Sequence, residues 1–527
     1  MKFANLKRFL PAPLNILLAA VSAILLVLAF PDFEFWIIAW FALVPLFFAV
    51  EREKESWVKS FLIGWTFGTV FFFGSCWWLT HAPITYAGFP SLLAYFLMLL
   101  AALAVGIFPA LFATLFSITL KRFGTYAIFS APFIWIAIEF LRFWTTGNNW
   151  NAIAYSHAFQ PITISLAAFG GIYLTGFFIL LMNATFCFQY IESKKQVKKS
   201  SLKIAFTLFL FGISLFSSAF VSYFNGNNPQ NFSTANVIAV QPNVPMGGMT
   251  AEKYEQLLQR HIALAEIALQ KLKAQNPNPQ IPTTVIFPES PMNFMYSEDL
   301  EFQQFIRAFA LRNNVSVLFN AAEPDAESKK YFNSAVLIDA SGRKIAQYDK
   351  IYLVPFGEAV PAPFQGLIPA LVGSFAYGKE YDLLPFGDAK AGIMICFESH
   401  FPNLSRAFVK NGADVLIEMT NDGYLGNTPV LRQHLASAVF RAVETNRPLL
   451  RVTNVGITAY INERGEISQA SESYTEDTRV WTITKSDGKQ TFYVKYGDWF
   501  AWLCSIVSLA LLFFSFRKRM EKSKNEA

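Results

Sequence analysis

Charge and cysteine are both scarce in this sequence. Only 15% of its 527 residues are Asp, Glu, Lys or Arg, against roughly 25% in soluble globular chains, which excludes a wholly water-bathed protein. Four cysteines exclude a disulfide scaffold, and 28 glycines with 26 prolines exclude a collagen-like or disordered chain. The five histidines (His81, His157, His261, His400, His434) show no metal-ligand spacing, and no P-loop or dinucleotide-binding glycine pattern occurs. No metal or cofactor is expected. What the chain has in quantity is apolar bulk, with 54% hydrophobic and 17% aromatic residues.

A membrane helix needs about 20 mostly apolar residues. Seven such segments precede residue 225, at roughly 12–30, 35–50, 57–79, 91–117, 124–141, 162–190 and 202–224, and an eighth lies at 498–516. The first runs through FPDFEF into the second without a small-residue cleavage site, so it does not read as a removable signal peptide. The organisation expected is 1–224 as seven transmembrane helices, 225–497 as an extracytoplasmic domain, and 498–527 as an eighth helix with a basic tail.

The charge distribution tests that layout. Residues 225–497 carry 24 basic and 27 acidic side chains, so the excess behind the net +6 belongs to the apolar part. There, 18 of 19 Lys and Arg residues lie beside the N-terminus or after segments two, four, six and eight, and only Arg142 lies opposite. By the positive-inside rule those ends are cytoplasmic. Both termini then face the cytoplasm and 225–497 faces away from it. The basic excess reads as membrane topology, not as a nucleic-acid footprint. Glu139 and Arg142, three apart in the fifth segment, read either as a pair at the helix end or as lipid-headgroup contacts.

The 225–497 region has the rhythm of an α/β domain. ANVIAVQ, TTVIFPES, VSVLFNA, SAVLIDA, KAGIMICFES, ADVLIEMTND, PLLRVTN and GITAYIN read as strands, with helical patterns at 251–274, 300–313 and 430–446. Residues 340–343 between SAVLID and KIAQYDK read as a hairpin turn.

Cys76, Cys187 and Cys504 fall in apolar segments and read as small buried hydrophobes. Cys396 is the only cysteine of the outer region and ends the strand KAGIMIC. Taken singly it is equally a buried structural thiol or a nucleophile at a sheet rim. Glu289 follows the strand TTVIF and Lys350 ends KIAQYDK, and either alone reads as a surface charge. Together, three strand ends deliver an acid, an ammonium and a thiol. An unassisted thiol with a pKa near 8.5 is a poor nucleophile at neutral pH. Glu289 can take its proton, while Lys350 can stabilise the thiolate and then an oxyanion, with the Phe397 N–H as second donor. The sulfur is expected to be ionised. Glu358 and Glu398 read as supports that orient these groups, or equally as surface charges.

VIFPES, YDKIYLVPFGE and MICFES resemble the Glu, Lys and Cys motifs of the nitrilase (carbon–nitrogen hydrolase) superfamily. The eight apolar segments narrow the resemblance to the apolipoprotein N-acyltransferase family, to which APFIWIAIEFLRFW and QHLASAVFRAVETNRPLLRVTNVGITA are also similar. It covers nearly the whole chain. The sequence departs from the family's commoner pattern at Thr250, Phe397 and Tyr424-Leu425.

The resemblance implies a membrane α-helical bundle with a periplasmic αββα sandwich, in a bacterial inner membrane. It also implies Glu289 as general base, Lys350 as oxyanion stabiliser and Cys396 as nucleophile. The reaction implied moves an acyl chain from a phospholipid, through a Cys thioester, to the α-amine of a diacylglyceryl-cysteine at an apolipoprotein's N-terminus. The implied partners are those two lipid substrates and the bilayer, with no nucleic acid; a monomer is expected. A membrane-anchored amidase is the alternative, and a catalytically dead scaffold or transporter a third reading. Apolar, Gly/Pro-rich stretches at 242–249 and 360–375 read as lids or interfacial arms, or equally as packed domain loops.

Overall fold

The computed structural model describes residues 9–194, 212, 233–247, 250–275, 281–289, 292, 294–360 and 373–525. The chain divides into two compact units, residues 1–227 with 498–527, and residues 228–497. The apolar segment expected at 202–224 lies outside the described residues apart from Gly212, as does most of the apolar stretch 360–375.

The first unit is helical, as a backbone that must satisfy its own polar groups in hydrocarbon requires. Among the described residues four stretches are long and apolar enough to cross a membrane: Trp57–Thr85, Ser91–Thr146, Ala167–Lys194 and Trp499–Arg517. Pro13–Ala29 is a shorter apolar helix of 17 residues. The segment expected at 35–50 is two pieces, a 3-10 turn Trp36–Trp40 and a helix Val44–Arg52. Asn183 occupies the break. Its Oδ1 accepts the Leu43 N–H and its Nδ2 donates to the Ala39 carbonyl, each at 2.8 Å, so the groups a continuous helix would pair are satisfied from the side.

The helices Trp57–Cys76 and Ile107–Phe123 cross at two glycines. A Cβ on Gly64 would lie 2.3 Å from the Pro109 carbonyl oxygen, and one on Gly68 would lie 2.8 Å from the Gly106 Cα. Small residues four apart let two backbones meet where lipid offers no hydrophobic drive. Glu139 accepts N–H bonds from Trp135 Nε1 and Ile153 at 2.9 Å, and Arg142 Nη1 donates to the Trp150 carbonyl at 2.7 Å. Both intramembrane charges thus brace the turn that follows their own helix.

The second unit contains strands β1 (Ser233–Gln241), β2 (Thr283–Ile286), β3 (Ser316–Pro324), β4 (Tyr331–Ile338), β5 (Lys344–Asp349), β6 (Phe375–Ala376) and β7 (Leu383–Phe386). They are followed by β8 (Ala389–Ile395), β9 (Val415–Thr420), β10 (Leu449–Thr453), β11 (Ala459–Ile461), β12 (Ile467–Ser468) and β13 (Asp477–Thr484). One sheet runs β13-β1-β2-β3-β4-β5 with β6 on β4, and the other runs β12-β11-β10-β9-β8-β7. The centres β1-β2-β3 and β8-β9-β10 are parallel, which is why their strands read as continuous apolar runs. The 340–343 turn joins antiparallel β4 and β5, with Gly342 at φ +76.

Helices Ala251–Gln275 and Leu300–Asn313 bury Leu258, Ile262, Phe302 and Ile306 against Val285, Val317 and Val336 of the first sheet. Helices Pro402–Lys410 and Val430–Thr445 pack on β8 and β10 of the second. With β1 against β10 and β4 against β8, the layers are α, β, β, α. Parallel strands end together at one edge of such a sandwich, and the polar residues after them converge there.

Candidate active site

Glu289 lies three residues past the end of β2, Lys350 one past β5, and Cys396 one past β8. Lys350 is fully buried, with Nζ 2.9 Å from Glu358 Oε1 and 3.4 Å from Glu289 Oε1. Burial works against its charge, but the carboxylates of Glu289 and Glu358 outweigh it and hold the ammonium's pKa above the usual lysine range. Glu358 is therefore no surface charge. It is 4% exposed, and its second oxygen accepts the Val354 N–H at 2.8 Å.

Asn333 of β4 joins the two acids. Its Nδ2 donates to Glu289 Oε1 at 2.9 Å and to Glu358 Oε1 at 2.7 Å, while its Oδ1 accepts from Asn320 Nδ2 at 2.7 Å. The bond from Asn320 fixes which way the Asn333 amide faces. Glu289 Oε2 accepts the Asn421 N–H at 3.2 Å.

Cys396 stands in the left-handed region at φ +52 and is partly exposed. A residue with a Cβ is strained there, and such strain collects where a side chain must be presented in one direction. Its thiol lies where the Thr420 side chain and the charges of Glu289 and Lys350 act on it, so the three expected groups fall in one electrostatic neighbourhood. The ionised resting sulfur does not follow. Burial and the Glu289 charge push the thiol's pKa well up, and Lys350 offsets only part of that.

Glu398 is fully buried. Its Oε1 accepts from the Tyr348 hydroxyl at 2.8 Å and from the N–H groups of Ile351 and Tyr352 at 2.7 and 3.1 Å; its Oε2 accepts the Ile395 N–H at 2.8 Å. One side chain thus ties the residues after Lys350 to the residue before Cys396. Burial raises its pKa to about 7 despite those donors. Phe397 is half-buried, its ring edge-on to Phe401 at 5.2 Å.

Behind the sulfur lies a polar group that sequence reading missed. His434 Nδ1 is 2.7 Å from Asp422 Oδ1, and Nε2 is 3.0 Å from both the Cys396 carbonyl oxygen and Glu418 Oε1. Arg451 pairs with Glu418 and, at 2.7 Å, with Asp422. The sign available was a charge inside each of two apolar strands, VLIEMT and LLRVT, which only a buried pair accommodates. No cluster of His, Cys, Asp and Glu suited to a metal occurs among the described residues.

Residues 22–185 match the Apolipoprotein N-acyltransferase N-terminal domain family, and residues 231–493 match the Carbon-nitrogen hydrolase family. The chain is 30% identical to an apolipoprotein N-acyltransferase of Geobacter metallireducens, over 95% of each chain. It is 29% identical to another from Thermotoga maritima, over 97% of this chain and 95% of the relative. Among solved structures it is similar to Saccharomyces cerevisiae Nit3 of the nitrilase superfamily, at 16% identity and TM-score 0.39, covering 49% of this chain and 93% of that one. A carbon–nitrogen hydrolase sandwich and a helical membrane domain in one chain, aligned end to end with such relatives, place the protein: it belongs to the apolipoprotein N-acyltransferase family.

Proposed function

We propose that the protein moves an acyl chain from a phospholipid to the α-amine of a lipoprotein's N-terminal diacylglyceryl-cysteine, with Cys396 as the acyl carrier. The observation that carries the residue assignment is the buried Glu289–Lys350–Glu358 cluster acting on the Cys396 thiol.

In the first half-reaction Glu289 takes the thiol proton as sulfur attacks the ester carbonyl carbon. The negative charge that develops on the ester oxygen is met by the Lys350 ammonium and the Phe397 N–H. Collapse breaks the ester C–O bond, and Glu289 returns the proton to the departing lysophospholipid oxygen, leaving a thioester. In the second half-reaction the amine attacks the thioester carbonyl and Glu289 takes a proton from the nitrogen. Collapse expels the sulfur, which regains that proton, and the amide is released. An α-amine titrates near 7.7–8.0, so about a tenth or more is neutral and nucleophilic at pH 7.

Membrane residence suits these substrates. Each buried CH₂ holds a lipid in the bilayer by about 0.8 kcal/mol, so neither donor nor acceptor leaves cheaply. Eight crossings with the catalytic unit on the periplasmic face and both termini in the cytoplasm agree with the basic residues at one set of segment ends.

The test is incubation of purified protein with acyl-labelled phospholipid and no acceptor. A hydroxylamine-sensitive labelled protein, absent in Cys396→Ala, is expected, and a diacylated lipopeptide should discharge it. Label released only as free fatty acid with the lipopeptide present would reassign the protein as a hydrolase.

A further inference from the structure

We propose that His434 is a positioning residue for the nucleophile: as a doubly protonated imidazolium it holds the Cys396 carbonyl, and through it the strained turn that aims the sulfur. This rests on Cys396 being the acyl carrier.

The geometry assigns the protonation state. Both ring nitrogens face oxygen acceptors, Asp422 Oδ1 at 2.7 Å on one side and the Cys396 carbonyl with Glu418 Oε1 at 3.0 Å on the other. A neutral imidazole has one N–H and would set a lone pair against oxygen at its other nitrogen, whereas an imidazolium donates at both. Charge agrees. Glu418 and Asp422 are buried and face two cations, Arg451 and His434. With His434 neutral, an uncompensated negative charge would remain in the interior. The other titratable group against it is His400, whose ring stacks on that of His434 at 5.0 Å with 18° between planes. Burial and the His434 charge hold His400 well below its ordinary range, so it stays neutral. Burial and Arg451 oppose the charge on His434, but the two carboxylates prevail and raise its pKa to about 9.

The consequence for the sulfur is mechanical. At φ +52 the Cys396 peptide is turned out of the strand direction into the 3-10 helix Cys396–His400, and its carbonyl meets a further donor from outside that helix. His434 supplies it from the helix Val430–Thr445, while Glu398 takes the Ile395 N–H on the preceding side. The nucleophile is gripped from both flanks by side chains that do not themselves react.

Full-length His434→Leu and His434→Gln in detergent, with the wild type, test this. Expected for His434→Leu is a fall of about a hundredfold in kcat for acyl-enzyme formation, as a misaimed nucleophile gives. Phospholipid KM should stay within about threefold. His434→Gln, which keeps one N–H for the carbonyl, should recover about tenfold of the lost rate. Alkylation of Cys396 by iodoacetamide, followed on its own peptide by mass, should need higher pH in both variants, because the Asp422 charge that bears on the thiol loses its imidazolium partner. A folded His434→Leu with wild-type kcat and an unmoved alkylation profile overturns the proposal. Should wild type form no acyl-enzyme while the alkylation profile still shifts, the acyl-carrier reading fails and the imidazolium grip stands. If neither variant accumulates, selective ¹⁵N-imidazole labelling of the wild type decides: an imidazolium persisting at pH 8 is expected, and five neutral rings at pH 8 would refute it.

Discussion

The Lys350 ammonium lies 2.9 Å from Glu358 Oε1, and both side chains are out of water. Breaking a buried pair by removing one member leaves a charge uncompensated and costs about 3–5 kcal/mol. Lys350→Met should therefore lose that much stability in denaturant unfolding, since Glu289 and Glu358 are left facing each other, and should form no acyl-enzyme. Glu358→Gln keeps the shape and the Val354 contact. It should unfold nearer the wild type yet form acyl-enzyme about a hundredfold more slowly, because the ammonium loses the partner that fixes its position. Equal rates in Glu358→Gln and wild type would make Glu358 structural only.

Asn333 donates to both acids through one amide nitrogen. Asn333→Leu removes that donor at similar size and should cost about 1–3 kcal/mol, with a slower acylation step. Asn333→Asp adds a third carboxylate to the cluster and should be worse on both measures. A reversed order would mean that volume, not donation, is what the position supplies.

The buried Glu398 carboxyl has a pKa of about 7, against 4.5 for an ordinary one. The folded form therefore binds this proton more tightly than the unfolded chain. Its contribution to stability falls as pH rises from about 4.5 to about 7 and is flat above that. Activity should run the other way, because the protonated acid turns a donor toward N–H groups that need an acceptor. Acyl-enzyme rates should thus show an acid limb near pH 7. Tyr348→Phe deletes a donor that favours the carboxylate and should move that limb to higher pH; a limb that stays in place would assign it to another group.

Gly64 and Gly68 set the approach of two membrane helices. Gly68→Leu should force them apart and destabilise the protein in detergent by about 1–3 kcal/mol, as overpacking does. Thermal unfolding with the Cys396 alkylation rate as a second readout checks this, and an unshifted midpoint would show that the crossing is not tightly packed.

Two of the three candidate residues, Glu289 and Cys396, were legible because parallel strands are buried on both faces: TTVIF and KAGIMIC are short apolar runs whose first polar residues past the apolar stretch lie at the sheet's edge. KIAQYDK is the antiparallel edge strand β5, only partly buried, and marked Lys350 only by its position at the strand's end. Asn333 was not legible, since an asparagine inside a strand has no local signature and meets Glu289 and Glu358 only through sheet order. Pairing of β13 with β1 joins residues some 240 positions apart, beyond any periodicity. The break at 41–43 has no local sign in the sequence, because Asn183, which satisfies its backbone groups, lies 140 positions further on.

The left-handed backbone at Cys396 has a cost that a glycine would not bear. With Cys396 as the proposed acyl carrier, backbone thermodynamics at that position favours a chain that could not carry the acyl group. Selecting this enzyme for robustness alone should then enrich Cys396→Gly, a sturdier and inert descendant, held off only by the demand for acyl transfer.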